Sequence, residues 1–431
     1  MIVLVRPRTI QSTRPPPFDR APIFMRSPPI QRVVPNAIVL AAGEGKRMRP
    51  LTANRPKVLL PAGPEPLLHR LIRQLAAAGV RDLVVVTHHK AEQVRASVGD
   101  GSRWGASVQY ADQGAARGTG HAVAAAKPPH DEPFLILNGD VFLRDADVRR
   151  VVESGPGSLA AAHVERPQAY GVLELREGRA VRVVEKSAAP PTNLANAGVY
   201  HAPAGFARLV EALSPSPRGE LELTDALQAS FEERPWKVVE VQDWLDVGRP
   251  WDLLAAAERA LAEWPETREG TIEAGATLHG KVIVAPGATI KAGAYVEGPV
   301  YVGPNATVGP NCYLRPNTVL LEGAKVGNAC EIKASLLMAG AHAAHLSYVG
   351  DSVLGERANL GAGTLVANLR HDGKPIKVTH LGERVETGRR KLGVVLGDDV
   401  HTGINTTLNL GVMLPAGDST MPGEVVMTTR V

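Results

Sequence analysis

Residues 38–60 read IVLAAGEGKRMRPLTANRPKVLL and set the organisation of the first half of the chain. The apolar run that opens the stretch is typical of a buried parallel strand. Gly43 and Gly45 follow, and a glycine loop lets backbone N–H groups approach phosphate oxygens because no Cβ stands in the way. Arg47 offers a planar fork and Lys57 a point charge to a polyphosphate. We therefore favour a phosphate-binding loop over an ordinary left-handed turn.

Strand-like and helical patterns alternate around this loop from residue 37 to residue 250. Residues 67–79 carry a helical apolar stripe that ends at a glycine. Residues 83–87 and 134–137 are continuous apolar runs, as in strands that are covered on both faces. The alternation predicts a doubly wound, Rossmann-like α/β domain whose ligand lies at the carboxyl ends of the strands.

A period of six residues replaces this pattern from residue 272 onward. Aliphatic residues recur at every sixth position as far as Ile332, and small or β-branched residues stand two places before most of them. The repeat predicts a left-handed parallel β-helix with three short strands per coil. Cys312 and Cys330 are eighteen residues apart, one full coil, so we expect them to stack inside as small hydrophobes.

Two irregularities interrupt the repeat. The period slips near Ile332, and we interpret it as resuming two residues out of phase, at Leu336, His342, Tyr348, Leu354, Leu360 and Val366. A charged, glycine-containing insert then occupies residues 367–391. Irregular coils cost regular packing, so both features indicate that a site lies there.

Composition bears on the partners and the cellular compartment of the protein. The net charge of +4 comes from residues 1–36, which hold six Arg and one Asp, so it gives no argument for nucleic acid as a partner. Two cysteines favour a reducing compartment. No apolar run approaches the ~18 residues of a membrane span, so we expect no membrane partner and a cytoplasmic location. The predicted divisions are a disordered Pro/Arg-rich extension (1–36), the α/β domain (37–250), a linker helix (251–270) and the β-helix (271–431).

Two carboxylates follow strand-like runs in the first domain. Asp140 ends the motif LNGD, and Asp246 stands in WLDVG. Carboxylates from two strand ends, together with phosphate oxygens, are the usual way to hold Mg²⁺. Taken alone, each aspartate could equally cap a turn.

The first domain resembles the sugar-1-phosphate nucleotidylyltransferases. The motifs LAAGEGKRM, RPKVLL, GTGHA, LNGD, YGV, VEK, NAGVY and WLDVG occur in the order found in that family. The resemblance implies attack of a sugar 1-phosphate on the α-phosphate of an NTP, with release of pyrophosphate. It implies the following roles: the triphosphate and reacting phosphates at Arg47 and Lys57, Mg²⁺ at Asp140 and Asp246, the nucleoside at Ala41, Gly43 and Gly118, and the sugar at Gly171, Glu185 and Asn196. Uridylyltransferases of this type carry Gln where this chain has Ala116, and the nearest Gln is Gln113, so UTP and dTTP both stay open.

Part of the β-helix resembles a second active site. Residues 331–351, EIKASLLMAGAHAAHLSYVGD, resemble the active-site coil of the bifunctional N-acetylglucosamine-1-phosphate uridyltransferase/glucosamine-1-phosphate acetyltransferases, and residues 387–405 resemble their archaeal-type branch. The resemblance implies acetyl-CoA as co-substrate, His345 as the general base, a carbonyl of Ala362 near the acetyl group, and a homotrimer with acceptor sites at subunit interfaces. It implies sugar-phosphate and amine contacts at Arg315, Lys333, Tyr348, Asn359 and Lys374. We do not expect His342 and His345 to form a metal pair, because no further ligands cluster near them in the sequence.

The sequence as a whole predicts an enzyme that acetylates glucosamine 1-phosphate and transfers a nucleotidyl group from UTP or dTTP to the product, N-acetylglucosamine 1-phosphate. Two alternatives remain open. One is a glucose-1-phosphate thymidylyl- or uridylyltransferase whose β-helix is structural. The other is a non-catalytic regulatory subunit of the same fold, which the joint presence of Arg47, Lys57, Asp140 and Asp246 disfavours.

Overall fold

The structure is a computed structural model and describes residues 36–114 and 117–431. The predicted disordered extension therefore lies, except for Asn36, outside the described residues, as does Ala116. None of the helices in these two ranges is long and apolar enough to cross a membrane.

Strands and helices alternate in the first part of the described chain, as its apolar runs predict. The strands are β1 (Asn36–Leu40), β2 (Asp82–Thr87), β3 (Ser107–Asp112), β4 (Phe134–Asn138), β5 (Val141–Phe142), β6 (Ser158–His163), β7 (Gly171–Arg176), β8 (Arg179–Glu185), β9 (Leu194–Ala202), β10 (Trp236–Glu240) and β11 (Leu245–Asp246). The helices are α1 (Leu67–Ala77), α2 (Ala91–Val98), α3 (Thr119–Ala125), α4 (Asp145–Glu153), α5 (Phe206–Glu211), α6 (Leu223–Glu233) and α7 (Asp252–Glu263). Short 3-10 turns cover Lys46–Met48, Lys57–Leu59, Ser102–Trp104 and Pro167–Ala169.

Nine of these strands form one sheet in the order β3-β2-β1-β4-β9-β6-β10-β8-β7. Strands β1, β2, β3 and β4 are parallel to one another, and β9 runs antiparallel to β4 and β6. Leu40 at the end of β1 is in register with Asn138 at the end of β4. The glycine loop and the LNGD turn therefore leave the sheet side by side, at the edge where ligands bind in doubly wound folds.

The second part of the chain is built from short strands that recur about every six residues. They are β12 (Thr271–Ile272), β13 (Thr277–His279), β14 (Val282–Val284), β15 (Thr289–Ile290), β16 (Tyr295–Glu297), β17 (Val300–Val302), β18 (Thr307–Val308), β19 (Tyr313–Leu314), β20 (Thr318–Leu320), β21 (Lys325–Asn328), β22 (Glu331–Lys333), β23 (Leu336–Leu337), β24 (His342–His345), β25 (Tyr348–Gly350), β26 (Val353–Leu354), β27 (Asn359–Leu360), β28 (Leu365–Val366), β29 (Lys377–His380), β30 (Glu383–Glu386), β31 (Val395–Leu396), β32 (Thr407–Leu408), β33 (Met413–Leu414) and β34 (Val425–Val426).

All but β29 and β30 stack into three parallel sheets, which confirms the β-helix. The first sheet is β12-β15-β18-β21-β24-β27, the second is β13-β16-β19-β22-β25-β28-β32-β34, and the third is β14-β17-β20-β23-β26-β31-β33. Pairing partners such as Val282 and Val300 lie eighteen residues apart. Cys312 and Cys330 are buried as free thiols, as the repeat predicts. Burial, with the Cys330 thiol next to it, raises the pKa of Cys312 to about 12.

The interior of the β-helix corrects one expectation from the sequence. Leu336, His342 and Tyr348 do not point inward; the buried interior positions are Leu337, Ala343 and Val349. Val319 pairs with Leu336, and Leu336 pairs with Val353, each seventeen residues further on. The repeat therefore shifts by one residue in each of two successive coils, and the predicted phase is correct from Leu354 onward. Because of this shift the side chains of His342 and Tyr348 face outward, where they can meet ligands.

A shared hydrophobic cluster joins the third sheet to the first part of the chain. Outward side chains of the third sheet pack with α7 and with Met48 and Leu51 of the segment between Arg47 and Lys57. The contributing residues of the third sheet are Ile283, Tyr301, Val319, Leu336, Val353, Val395 and Met413. The 367–391 insert adds the buried Ile376 and Val378 from the antiparallel hairpin β29–β30. The first part of the chain and the β-helix therefore pack against each other through a shared hydrophobic cluster.

Candidate active sites

The glycine loop after β1 folds back against the residue that it was predicted to act with. Gly45 has a φ of 69°, and a Cβ placed on it would lie 2.8 Å from the Cβ of Lys57. Glycine at this position therefore allows the close approach of the loop to Lys57. Met48 is fully buried and anchors the loop, whereas the Arg47 side chain is exposed and free to reach a ligand.

Lys57, Asp140 and Asp246 come together at the edge of the sheet. The Nζ of Lys57 lies 2.5 Å from Oδ2 of Asp140, and Asp246 lies across from Val141 in the β5–β11 pair. Burial raises the pKa of Asp246, and so does the nearby Asp140 charge, while Lys57, Arg47 and Lys186 oppose the rise. Two carboxylates that repel each other in a half-buried place are a donor set that a divalent cation would stabilise.

Asp252 adds a third carboxyl group beside this cluster. Its Oδ2 accepts hydrogen bonds from the backbone N–H groups of Gly248 (3.0 Å) and Arg249 (2.7 Å) and so orders the chain between β11 and α7. Burial raises the pKa of Asp252 to about 6, and the Asp246 charge contributes to the rise. Asp252 holds the turn that carries Asp246.

A cavity of about 500 Å³ opens at the carboxyl ends of β1 and β4. It is lined by Gly43 and Gly118, as predicted for the nucleoside, and also by Asp140, Gln113 and Asn138. Ala41 lies behind the lining, buried in the core, while its neighbours Leu40 and Ala42 line the cavity. Gln113 donates from Nε2 to the carbonyl of Gly118 at 2.9 Å, which fixes its amide against the second glycine loop.

The three residues predicted for the sugar line a second cavity of about 230 Å³. Gly171 and Glu185 are cross-strand partners in β7 and β8, and Asn196 donates to the hydroxyl of Tyr200 at 2.8 Å. Asn138, Thr119 and Glu222 line both cavities. The two cavities are therefore adjacent, with the loop that carries Asp140 beside them.

The residues predicted for acetyl transfer lie on two sheets of the β-helix. His345 ends β24 on the first sheet and is exposed, and Tyr348 begins β25 on the second sheet. The Tyr348 hydroxyl accepts from Asn368 at 3.2 Å, and the same amide donates to Asp351 at 2.7 Å. Lys333 pairs with Asp351 at 3.0 Å. These contacts form a polar network along the second sheet, whose strand β25 follows β24 in the chain.

The other predicted residues stand further from this network. Arg315 pairs with Glu331 at 2.8 Å one coil earlier on the second sheet. Asn359 is in register with His342 rather than with His345. The carbonyl of Ala362 accepts the N–H of Asn405 at 2.7 Å, and Lys374 is exposed in the insert, where its N–H donates to Asp372.

Sequence reasoning missed several polar residues of both sites. Asn138 and Lys186 stand inside motifs that were recognised, but no role was given to them. Asn368 and Asp252 could have been found only from tertiary contacts, because each lies outside the recognised motifs. Glu222 reaches the cavities from the start of α6, and no local pattern marks it.

Comparison with known proteins assigns the two parts of the chain to known families. The nucleotidyl transferase family model matches residues 36–263, and the GMPPB C-terminal domain model matches residues 296–419. A solved structure assigned as a glucose-1-phosphate thymidylyltransferase from Bacillus anthracis, in complex with sucrose, superposes with a TM-score of 0.50 at 26% identity, covering 54% of this chain and 97% of that chain. The first part of the chain is therefore a nucleotidyl transferase domain.

Relatives that match almost the whole chain define the family further. The chain is 40% identical over 379 residues to the bifunctional protein GlmU of Methanocaldococcus jannaschii, covering 88% of this chain and 91% of the relative. It is 39% identical over 395 residues to the bifunctional sugar-1-phosphate nucleotidylyltransferase/acetyltransferase of Sulfurisphaera tokodaii, covering 90% and 96%. The chain belongs to this family of bifunctional enzymes of nucleotide-sugar biosynthesis, which confirms the resemblance to the archaeal-type branch.

Proposed function

We propose that the chain converts glucosamine 1-phosphate, acetyl-CoA and UTP or dTTP into an N-acetylated nucleotide sugar, with acetyl transfer first and nucleotidyl transfer second. The observation that carries the second step is the meeting of Lys57, Asp140 and Asp246 beside two adjacent cavities. One cavity has glycine loops that suit a nucleotide, and the other has a carboxylate and amides that suit sugar hydroxyls.

In nucleotidyl transfer, a phosphate oxygen of the sugar 1-phosphate bonds to the α-phosphorus while the bond to the bridging oxygen of pyrophosphate breaks. Arg47 would hold the triphosphate, and Lys57 would stabilise charge on the reacting phosphate. Mg²⁺, which the family implies, would be held by Asp140 and Asp246 and would neutralise phosphate charge. Lys57 pairs with Asp140, so its Nζ is already fixed beside the carboxylates.

We assign base recognition to Gln113, because position 116, where related uridylyltransferases carry Gln, is Ala in this chain. Gln113 lines the nucleoside cavity, where its Nε2 donates to the Gly118 carbonyl. An amide of this kind can pair with the N3–H and a carbonyl of uracil or of thymine. Both UTP and dTTP are therefore proposed as substrates.

In acetyl transfer, His345 would take a proton from the amine of glucosamine 1-phosphate as the amine attacks the thioester carbonyl. The carbon–nitrogen bond forms, the carbon–sulfur bond breaks, and coenzyme A leaves as the thiol. Tyr348 and Lys333, held by Asn368 and Asp351, would bind the sugar phosphate. Arg315, Asn359, Lys374 and the Ala362 carbonyl stay predictions for this site.

We propose a homotrimer in which a second copy covers the acetyl-transfer site. Leu346, directly after His345, is 60% exposed, and Leu365, in register with Tyr348, is 50% exposed. Burying such apolar side chains is favourable, and an interface formed by them would also close the site to water. The cytoplasmic location stays a prediction from the cysteine content.

Pyrophosphate release from UTP or dTTP with N-acetylglucosamine 1-phosphate tests the nucleotidyl-transfer half. We expect release that requires both the sugar phosphate and Mg²⁺. Release that proceeds equally well with glucose 1-phosphate would instead favour the glucose-1-phosphate alternative, and no release with any NTP and sugar phosphate would favour the regulatory-subunit alternative.

A further inference from the structure

The hairpin β29–β30 of the β-helix touches the loop that carries Arg47. His380 at the end of β29 is 1% exposed, and its Nε2 lies 2.9 Å from the backbone carbonyl of Arg47. The carbonyl can only accept, so Nε2 carries the proton and donates it. Burial lowers the pKa of His380, as does the Arg249 charge, which favours the neutral ring. The ring also packs edge-on against Trp251, with 6.0 Å between ring centroids.

A second contact from the β-helix holds the other end of the same segment. Asp398, directly after the third sheet's β31, is 2% exposed and pairs with Nη2 of Arg55 at 2.6 Å. Glu356 pairs with Nη1 of the same guanidinium. Asp398 also accepts from Asn54 at 3.3 Å and from the backbone N–H of Glu356 at 2.9 Å. Arg55 stands two residues before Lys57, so this ion pair fixes the approach to Lys57.

We call these two contacts the loop clasp: His380 to Arg47, and Asp398 with Glu356 to Arg55. They hold the segment between Arg47 and Lys57 near both of its ends. Between them, Met48 and Leu51 lie in the cluster shared with the third sheet. The Arg47 side chain is exposed, while its backbone carbonyl is bonded to His380 of the β-helix. A side chain that must meet a phosphate keeps its position only as well as the backbone that carries it.

We propose that the loop clasp is a positioning device for nucleotidyl transfer, so that the β-helix forms part of the first active site as well as carrying the second. His380 and Asp398 are positioning residues that act through Arg47 and Lys57. This inference rests on the proposed nucleotidyl transfer and adds that residues of the other domain set its affinity for the NTP.

Two substitutions test the loop clasp, each with a neighbour as control. His380→Ala removes the donor to the Arg47 carbonyl, and His380→Gln restores an amide donor of similar reach. The control Thr379→Ala alters an exposed neighbour on the same strand. Asp398→Asn removes the charge that faces Arg55. Its control, Asp399→Asn, alters a carboxylate that pairs with Arg357, rather than with Arg55, on the surface of the β-helix.

We expect His380→Ala to raise the KM for the NTP roughly tenfold, and Asp398→Asn, which acts through Lys57, to lower kcat for nucleotidyl transfer roughly tenfold, since small displacements of such groups cost one to two orders of magnitude. The KM for the sugar phosphate and the acetyl-transfer kcat/KM should stay within twofold of the wild-type values. His380→Gln should recover most of the NTP affinity, and both controls should match the wild-type enzyme.

Pyrophosphate release by the wild-type enzyme establishes the reaction before any variant is compared, so failure of the proposed function is seen separately. Unfolding midpoints measured in parallel show whether each variant is folded. An unchanged KM for the NTP in folded His380→Ala, together with an unchanged kcat in folded Asp398→Asn, would overturn the proposal. Equal losses of nucleotidyl and acetyl transfer, without rescue by His380→Gln, would also overturn it in favour of a purely structural contact.

Discussion

Lys57 and Asp140 form an ion pair in which Nζ and Oδ2 are 2.5 Å apart, although the two residues come from different loops, 83 positions apart in the chain. Lys57 closes the glycine loop, and Asp140 follows β4. Register between β1 and β4 brings the two loops to the same edge of the sheet. The ion pair fixes the position of Lys57 Nζ, and the lysine charge partly offsets the negative charges of Asp140 and Asp246.

Replacing Lys57 by Met keeps most of its buried stem and removes the charge. We expect kcat for nucleotidyl transfer to fall by about 100-fold or more, because one preorganised charge that acts on the transition state is worth that much. Acetyl transfer should continue unchanged. Steady-state pyrophosphate release measures the first activity, and Lys46→Met, which alters an exposed lysine of the same loop, is the matched control. Equal effects of the two substitutions would contradict the assigned role.

Gly171 leaves room for the carboxylate of Glu185. A Cβ at position 171 would lie 2.6 Å from Oε1 of Glu185, so Gly171→Ala must displace that carboxylate. We expect the KM for the sugar phosphate to rise by roughly tenfold to hundredfold, with little change in the KM for the NTP. Glu174→Ala, on the same strand and outside the sugar cavity, tests whether any substitution in β7 has this effect. A rise confined to the KM for the NTP would contradict the placement of the sugar.

His345→Ala should abolish acetyl transfer and leave nucleotidyl transfer intact. Loss of a general base costs about 100- to 10,000-fold. His342→Ala is the matched control, because His342 faces outward on the same strand and its substitution should have a much smaller effect. Release of free coenzyme A thiol measures the reaction. Equal acetyl-transfer rates for wild type and His345→Ala would show that another group takes the proton.

Asp252 should make the stability of the fold depend on pH. Its folded-state pKa is about 6, above the ordinary aspartate value of 3.8, so between these values the folded chain binds more protons than the unfolded chain. Stability from this group therefore rises as the pH falls from about 6 toward 4, and above about 6 its ionisation opposes folding to a constant extent. Asp252→Asn removes this dependence. The difference in free energy of unfolding between Asp252→Asn and wild type, measured in urea, should change between pH 4.5 and 7.5 in favour of wild type at low pH. If the difference in free energy of unfolding did not change with pH, the raised pKa of Asp252 would be contradicted.

Leu346→Glu combined with Leu365→Glu should weaken the proposed trimer. Charges on these two exposed apolar positions would oppose burial at an interface. Light scattering should show smaller particles, with acetyl transfer reduced and nucleotidyl transfer retained. A trimer of unchanged stability, or a wild-type chain that is monomeric, would contradict the interface.

The sequence predicted those parts of the structure that follow from local periodicity. The apolar stripe of 67–79 gave α1, which ends at Ala77, and the period of six gave the three sheets of the β-helix. The phase predicted at Leu336, His342 and Tyr348 was wrong because two successive shifts of one residue and a single shift of two both place apolar residues nearby. Only the buried positions of Ala343 and Val349 distinguish them.

Contacts between distant segments could not be predicted in the same way. The bond from His380 to the Arg47 carbonyl joins residues 333 positions apart, and His380 stands in a part of the insert that follows neither the six-residue repeat nor a recognised motif. The Tyr348–Asn368–Asp351 network likewise depends on how successive coils stack. Motif order predicts which residues carry chemistry, but it gives no information about the residues that hold them in place.

The central claim is that one chain carries both activities in sequence. The most direct test incubates the protein with glucosamine 1-phosphate, acetyl-CoA, Mg²⁺ and UTP or dTTP and identifies the nucleotide sugar by mass spectrometry. We predict an N-acetylated nucleotide sugar, free coenzyme A thiol in equal amount, and no thiol release when glucose 1-phosphate replaces the amino sugar. A nucleotide sugar made without thiol release would contradict the second activity and leave an enzyme of one reaction.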